Sequence, residues 1–72
     1  MAILTLEAIG PKAEELALAA GKAADLPVGY DPEFECATYD SETLGADELQ
    51  ATVFDALTSS DPDWRSQLRV GE

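Results

Sequence analysis

Carboxylates are the side chains in this sequence that could most readily take part in chemistry. Fifteen Asp and Glu residues stand against four Lys and Arg residues, and the formal net charge is −11. Eleven of the carboxylates lie from Asp25 to Asp63, within a stretch between Lys22 and Arg65 that contains no basic residue. Carboxylates can act as general acids or bases, bind cations, or imitate the phosphates of a nucleic acid. Each use needs its own spacing and environment.

The sequence lacks the partners that most catalytic schemes need. It contains no histidine, which excludes Ser-His-Asp and Cys-His arrangements, and it has no glycine-rich phosphate loop. A carboxylic acid catalyst needs a pocket that raises its pKa, and so short a chain has little room for one. Cys36 has no basic neighbour in sequence to lower its pKa, so we expect a buried structural thiol. We therefore predict that the protein is not an enzyme and needs no cofactor.

One segment approaches a metal-binding motif. Residues 40–45, Asp-Ser-Glu-Thr-Leu-Gly, resemble the opening of an EF-hand calcium loop, with acids first and third and a glycine sixth. The resemblance fails at the fifth position, because Leu44 cannot bind calcium, and at the twelfth, where Ala51 replaces the bidentate Glu. A single cysteine without histidine also cannot form the usual zinc site. We therefore expect a solvated loop before a helix and no metal.

Hydrophobic periodicity and turn residues predict a small α+β domain with the order β-α-β-α. The predicted elements are a strand at 2–9, a helix at 11–25, a strand at 33–39 and a helix at 46–58. Residues 64–70 fit two alternatives, a short helix after the Asp61-Pro62 start signal or an edge strand with period 2. Residues 28–32 are predicted to be a turn-rich connection. Trp64 is expected to anchor the C-terminal segment in either case.

The predicted core follows from the same periodicities. In the second strand Phe34, Cys36 and Thr38 are expected to face inward. The residues on the other face are expected to be Glu33, Glu35, Ala37 and Tyr39. The full predicted core consists of Leu4, Leu6, Leu16, Phe34, Cys36, Leu49, Val53 and Leu57. The first helix has a face of mostly small residues, which suits packing on a sheet or a seam with another subunit. Its Gly21 is expected to weaken the helix.

The length predicts one small acidic domain spanning 1–72. Two strands alone rarely persist in water, so a sheet completed across a two-fold homodimer is expected. If the two strands are parallel neighbours, the first helix is their crossover connection. Neither a basic leader nor a long apolar stretch is present, and this predicts a cytoplasmic protein.

The charge distribution favours some partners over others. Nucleic acids and anionic membranes are bound through Lys and Arg, so neither is expected as a partner. Three interpretations of the acidity remain: a solvated surface like that of proteins from a salt-rich cytoplasm, a surface that docks a basic protein, and a nucleic-acid mimic that inhibits a DNA-binding protein. The mimic interpretation rests on spacing, because Glu33 and Glu35 on one strand face would lie about 6.6 Å apart.

We favour a non-enzymatic protein-interaction module, such as a small acidic adaptor, a subunit or a viral accessory protein. Carboxylates would steer a basic partner, and large rings at their margin would hold it. The predicted partner-binding residues are Glu33, Glu35, Tyr39, Glu48, Asp55 and Trp64. Arg65 and Arg69 are expected to be the only counter-charges available to the acidic half of the chain.

Overall fold

The computed structural model describes residues 2–70, which form four strands and two α-helices. In chain order the elements are β1 (Ala2–Ala8), α1 (Ala13–Ala23), β2 (Val28–Asp31), β3 (Cys36–Ser41), α2 (Ala46–Ser60), a 3₁₀ turn (Trp64–Ser66) and β4 (Leu68–Val70). The predicted α+β class is confirmed. Strand β2 lies in the segment 28–32, which is predicted to be a turn-rich connection, so that prediction is wrong. The C-terminal segment combines both predicted alternatives, a helical turn followed by an edge strand.

The four strands form one antiparallel sheet in the order β2-β3-β1-β4. In each β-α-β unit a third strand lies between the two strands that the helix connects: β3 separates β1 from β2, and β1 separates β3 from β4. This is the ferredoxin-like, or split β-α-β, topology. The two strands predicted from sequence are indeed neighbours, but they pair antiparallel, so a parallel crossover between them is excluded. Four strands in one chain also remove the reason for expecting a sheet completed by dimerisation.

Both helices pack on one face of the sheet. The core between sheet and helices contains Leu4, Leu6, Tyr39 and Leu68 from the strands. The apolar face of α2 contributes Leu49, Val53 and Leu57, all fully buried, as predicted. The opposite face of the sheet carries no helix among residues 2–70 and consists of partly or fully exposed side chains, including Ile3, Thr5, Thr38 and Asp40.

The small-residue face of α1 is used within the chain. Ala13, Leu16, Ala17, Ala20 and Gly21 are buried, and α1 contacts both α2 and the sheet. This confirms packing on the sheet. Gly21 allows a close approach, because a Cβ atom there would lie 2.3 Å from Cγ1 of Val28. Gly21 is predicted to weaken the helix, but in the structure it makes room for β2.

The predicted phase of the second strand is wrong. Ala37, Tyr39 and Ser41 are the buried residues of β3, whereas Phe34 is 73% exposed and Cys36 lies on the helix-free face at intermediate exposure. The strand begins at Cys36 rather than at residue 33, because residues 32–35 form the turn that joins it to β2. Leu4, Leu6 and Leu16 are buried as predicted.

No helix among the described residues combines the length and the hydrophobicity needed to cross a membrane.

Candidate functional site

The two aromatic residues predicted to anchor a partner are both core residues. Tyr39 is fully buried and its hydroxyl donates a hydrogen bond to the carbonyl oxygen of Ala17 at 2.7 Å. Trp64 is 2% exposed, packs against Phe54 with ring centroids 5.1 Å apart, and donates from Nε1 to Oγ1 of Thr58. Trp64 does anchor the C-terminal segment, as predicted. Neither ring is available to a partner, so these two assignments are wrong.

The most exposed aromatic ring among residues 2–70 is that of Phe34, at the tip of the β2–β3 hairpin. Phe34 is 73% exposed, and Ile9, which follows β1, is 50% exposed. The two side chains line the same shallow surface depression, together with Glu7, Glu35 and other residues. We call the surface formed by Glu7, Ile9, Glu33, Phe34 and Glu35 the hairpin-end surface. It combines two exposed apolar side chains, those of Ile9 and Phe34, with neighbouring carboxylates.

Hydrogen bonds hold the hairpin loop in one conformation. The carboxylate oxygen Oδ1 of Asp31 accepts from the backbone N–H of Glu33 at 2.9 Å and of Phe34 at 3.4 Å. Glu35 has a left-handed backbone with φ of 53°, and its carbonyl accepts from the N–H of Ala8 at 2.7 Å. A residue other than glycine in the left-handed backbone conformation costs about 1 kcal/mol or more. The loop is therefore pre-organised, with Phe34 pointing away from the core.

The backbone at Ile9 is fixed by the C-terminal segment. The carbonyl of Gln67 accepts from the N–H groups of Ile9 at 2.8 Å and Gly10 at 3.1 Å, and its side-chain Oε1 accepts from the N–H of Lys12 at 3.0 Å. Gln67 thus ties the end of β1 and the start of α1 to the segment before β4. Both apolar side chains of the hairpin-end surface lie on restrained backbone, which lowers the entropic cost of binding.

The electrostatic field of the hairpin-end surface is negative. Arg69 forms an ion pair with Glu7, and its Nε lies 2.8 Å from Oε2 of that residue. The positive charge of Arg69 therefore compensates the negative charge of Glu7. Glu33 and Glu35 are exposed and form no ion pair with any of residues 2–70. The guanidinium of Arg65 instead stacks on Trp64, 4.5 Å from the ring centroid. The two arginines therefore do not compensate the acidic stretch.

The other predicted carboxylates lie elsewhere. Glu48 and Asp55 are exposed on α2, opposite its buried face, and no residue of α2 lines the depressions beside Ile9. The spacing argument for a nucleic-acid mimic is wrong, because Glu33 and Glu35 lie in a turn rather than on one face of a strand. The structure therefore places Glu35 in one depression with the apolar residues Ile9 and Phe34, and Glu33 precedes Phe34 in the same loop. No residue of α2 lines this depression.

The segment that resembles an EF-hand opening is a turn leading into α2. Oγ of Ser41 accepts from the backbone N–H of Thr43 at 3.3 Å and of Leu44 at 2.9 Å. Among residues 2–70, no group of three His, Cys, Asp or Glu side chains is arranged to hold a metal ion. Cys36 lies in register between Glu7 on β1 and Asp31 on β2, so its sheet neighbours are acidic.

Phe34 is exposed although it is predicted to lie in the core, and a local signal for this exposure is present in the sequence. Asp31-Pro32 is a dipeptide that favours turn initiation, because the Asp side chain accepts hydrogen bonds from backbone N–H groups two and three residues later. A turn starting there would have placed Phe34 in the loop. The alternation over residues 33–39 favours a strand instead, and it leads to the wrong prediction for Phe34.

No protein-family model matches this chain, and no match was found among curated proteins or solved structures.

Proposed function

We propose that the chain is a non-enzymatic protein-interaction module that binds a basic protein through the hairpin-end surface. The observation that carries the proposal is the exposure of Phe34 on a restrained loop. Aromatic residues are enriched where interfaces are most buried. The fold does not use this ring for its own core.

The neighbouring residues fit a hot spot of binding. Ile9 lies beside Phe34 and enlarges the apolar contact, while the exposed carboxylates of Glu33 and Glu35 lie at the margin. A partner with an apolar pocket rimmed by Lys or Arg would bury the ring and pair with the carboxylates. Charge would then set the rate of association, and the buried ring would set the lifetime of the complex.

A capture experiment with matched variants tests the proposal. The wild-type chain, Phe34→Ala and Leu18→Ala are used as baits, since Leu18 is an exposed apolar residue of α1, outside the hairpin-end surface. We expect a basic protein that is retained by the wild type and by Leu18→Ala and is lost with Phe34→Ala. With the purified partner, Phe34→Ala should raise the Kd by about tenfold or more.

The carboxylates are tested with the same purified partner. Glu33→Lys combined with Glu35→Lys should slow association and reduce its salt dependence, while dissociation changes little. The proposal is contradicted if every protein retained by the wild type binds Phe34→Ala equally well.

A salt titration separates this proposal from an acidity that serves only solvation in concentrated salt. Circular dichroism from low to molar salt should show the fold intact at low salt, and partner binding should weaken as salt rises. A chain that unfolds as salt falls would instead support the solvation interpretation.

A further inference from the structure

Strand β1 is paired unequally on its two sides. On one side β3 pairs with it from Ala2 to Glu7. On the other side β4 pairs with it only from Leu6 to Ala8. The half of β1 nearer the N-terminus is therefore an edge of the sheet among residues 2–70.

The backbone hydrogen bonds show which residue presents its groups at this edge. The N–H of Ala8 donates toward β3, to Glu35 at 2.7 Å, and the N–H of Ile9 donates toward the β4 side, to Gln67 at 2.8 Å. Neighbouring residues of a strand direct their backbone groups to opposite sides. The N–H and C=O of Ile3, six residues before Ile9, therefore face the β4 side. No strand among residues 2–70 lies opposite them.

The edge at β2 is protected in ways that the edge at β1 is not. Pro27 precedes β2 and Pro32 follows it, and the strand ends in the charged Asp31. Proline and charge both hinder the addition of another strand. The segment Ala2–Thr5, Ala-Ile-Leu-Thr, has no proline and no charge, and it contains Ile3 and Thr5, which favour strands. Ile3 is 57% exposed.

We propose that this edge binds an extended, basic segment of a protein partner, which pairs antiparallel with β1 beside Ile3 and continues the line of β4. Addition of a strand to a sheet edge is a common mode of peptide recognition, in which backbone hydrogen bonds give affinity and side chains give specificity. The surface is separate from the hairpin-end surface and does not involve Phe34, so the two proposals can fail independently.

The charges around Ile3 favour a basic occupant. Ile3 lies in register with Asp40 on β3, and Asp25 and Glu42 line the same surface depression as Ile3. An added strand would lie about 10 Å from β3, two strand spacings away. A lysine or arginine opposite Ile3 would project on the same face and extend across Ile3 toward the carboxylate of Asp40.

A second copy of the chain fits this edge less well. It would bring another formal charge of −11 beside the first. A flexible basic peptide does not meet this charge repulsion.

The test uses a synthetic seven-residue peptide of alternating lysine and valine and measures amide hydrogen exchange by NMR. With the peptide at about ten times its Kd, exchange at the Ile3 N–H should slow by about tenfold. The N–H groups of Val28 and Tyr30, on the β2 edge, should not change. Phe34→Ala should bind the peptide as the wild type does, and Asp40→Asn should bind it more weakly.

Two N-methylated peptides supply the matched control. The residue paired with Ile3 shares its face, so the lysine amides should point at β1 and the valine amides away from it. Methylation of the lysine amides should abolish the protection of Ile3, and methylation of the valine amides should leave it. The proposal is overturned if both peptides act alike, if Ile3 is not protected, or if the β2 edge is protected instead. Protection of Ile3 in a dimer without peptide would also overturn it, in favour of a second copy.

Discussion

Tyr39 and Phe34 lie five residues apart in the same hairpin and have opposite environments. Tyr39 is fully buried between the sheet and α1, whereas Phe34 is 73% exposed at the tip of the loop. The ring of Tyr39 is therefore part of the core on the helix-covered face of the sheet, whereas the ring of Phe34 is exposed to solvent at the hairpin end. Hydrophobicity alone does not separate these roles. The position of the turn does, because it sets which residues of β3 face inward.

The largest expected effect is on the helix-covered face. Val53→Asp buries an unpaired charge on α2, where Val53 is fully buried, and should destabilise the fold by about 3 kcal/mol or more. Chemical denaturation measures the loss. Thr52→Asp is the control, because Thr52 is a half-buried residue on the same helix, and it should destabilise the fold less. An unchanged melting temperature for Val53→Asp would mean that the buried face of α2 is misassigned.

Gly21→Ala should also destabilise the covered face. The substitution favours the helix by about 1 kcal/mol, but the added Cβ would lie 2.3 Å from Cγ1 of Val28. Overpacking of this kind typically costs about 1–3 kcal/mol, so we expect a net loss in a denaturation experiment. The double variant Gly21→Ala with Val28→Ala should recover part of it. A stabilised Gly21→Ala would show that α1 and β2 are farther apart.

Tyr39 should make the fold sensitive to alkaline pH. Burial raises the pKa of Tyr39 to about 12, from 10.0 for the free side chain. The unfolded chain therefore loses this proton first as pH rises, and stability should fall between about pH 10 and pH 12. Denaturation of Tyr39→Phe should lack this part of the pH dependence. Near neutral pH the variant should lose about 1 kcal/mol with the hydrogen bond to Ala17. Identical alkaline curves for the two proteins would contradict the burial of this hydroxyl.

At the hairpin end, one substitution should stabilise the fold rather than destabilise it. Glu35→Gly relieves the left-handed backbone and should stabilise the fold by about 0.5–1 kcal/mol. Glu33→Gly is the control, because Glu33 lies in the same loop without a positive φ. It should not stabilise. Equal effects of the two substitutions on the melting temperature would show that the loop is not strained at Glu35.

The parts of the fold that the sequence predicts well are those with one dominant periodicity. Leu49, Val53 and Leu57 recur at helical spacing and define the buried side of α2 without ambiguity. Ala2–Ala8 likewise alternates and ends at a Gly-Pro pair.

Around β3 two interleaved sets are both compatible with a strand, Phe34 with Cys36 and Thr38, and Ala37 with Tyr39 and Ser41. A shift of one residue exchanges the two faces, and only the turn and the contact with α1 choose between them. Glu33 and Glu35 were correctly predicted to be exposed. The exposure of Phe34 depends on this phase of β3, and alternation alone could not predict it.

The smallest expected change is also the most direct test of the exposed ring. Phe34→Ala should change the free energy of unfolding by no more than about 0.5 kcal/mol, because an exposed side chain contributes little to the core. Tyr39→Ala, measured beside it, should cost about 3–5 kcal/mol. If Phe34→Ala destabilises the protein as strongly as Tyr39→Ala does, Phe34 is a core residue, the phase of β3 is reversed, and the hairpin-end surface does not exist as described.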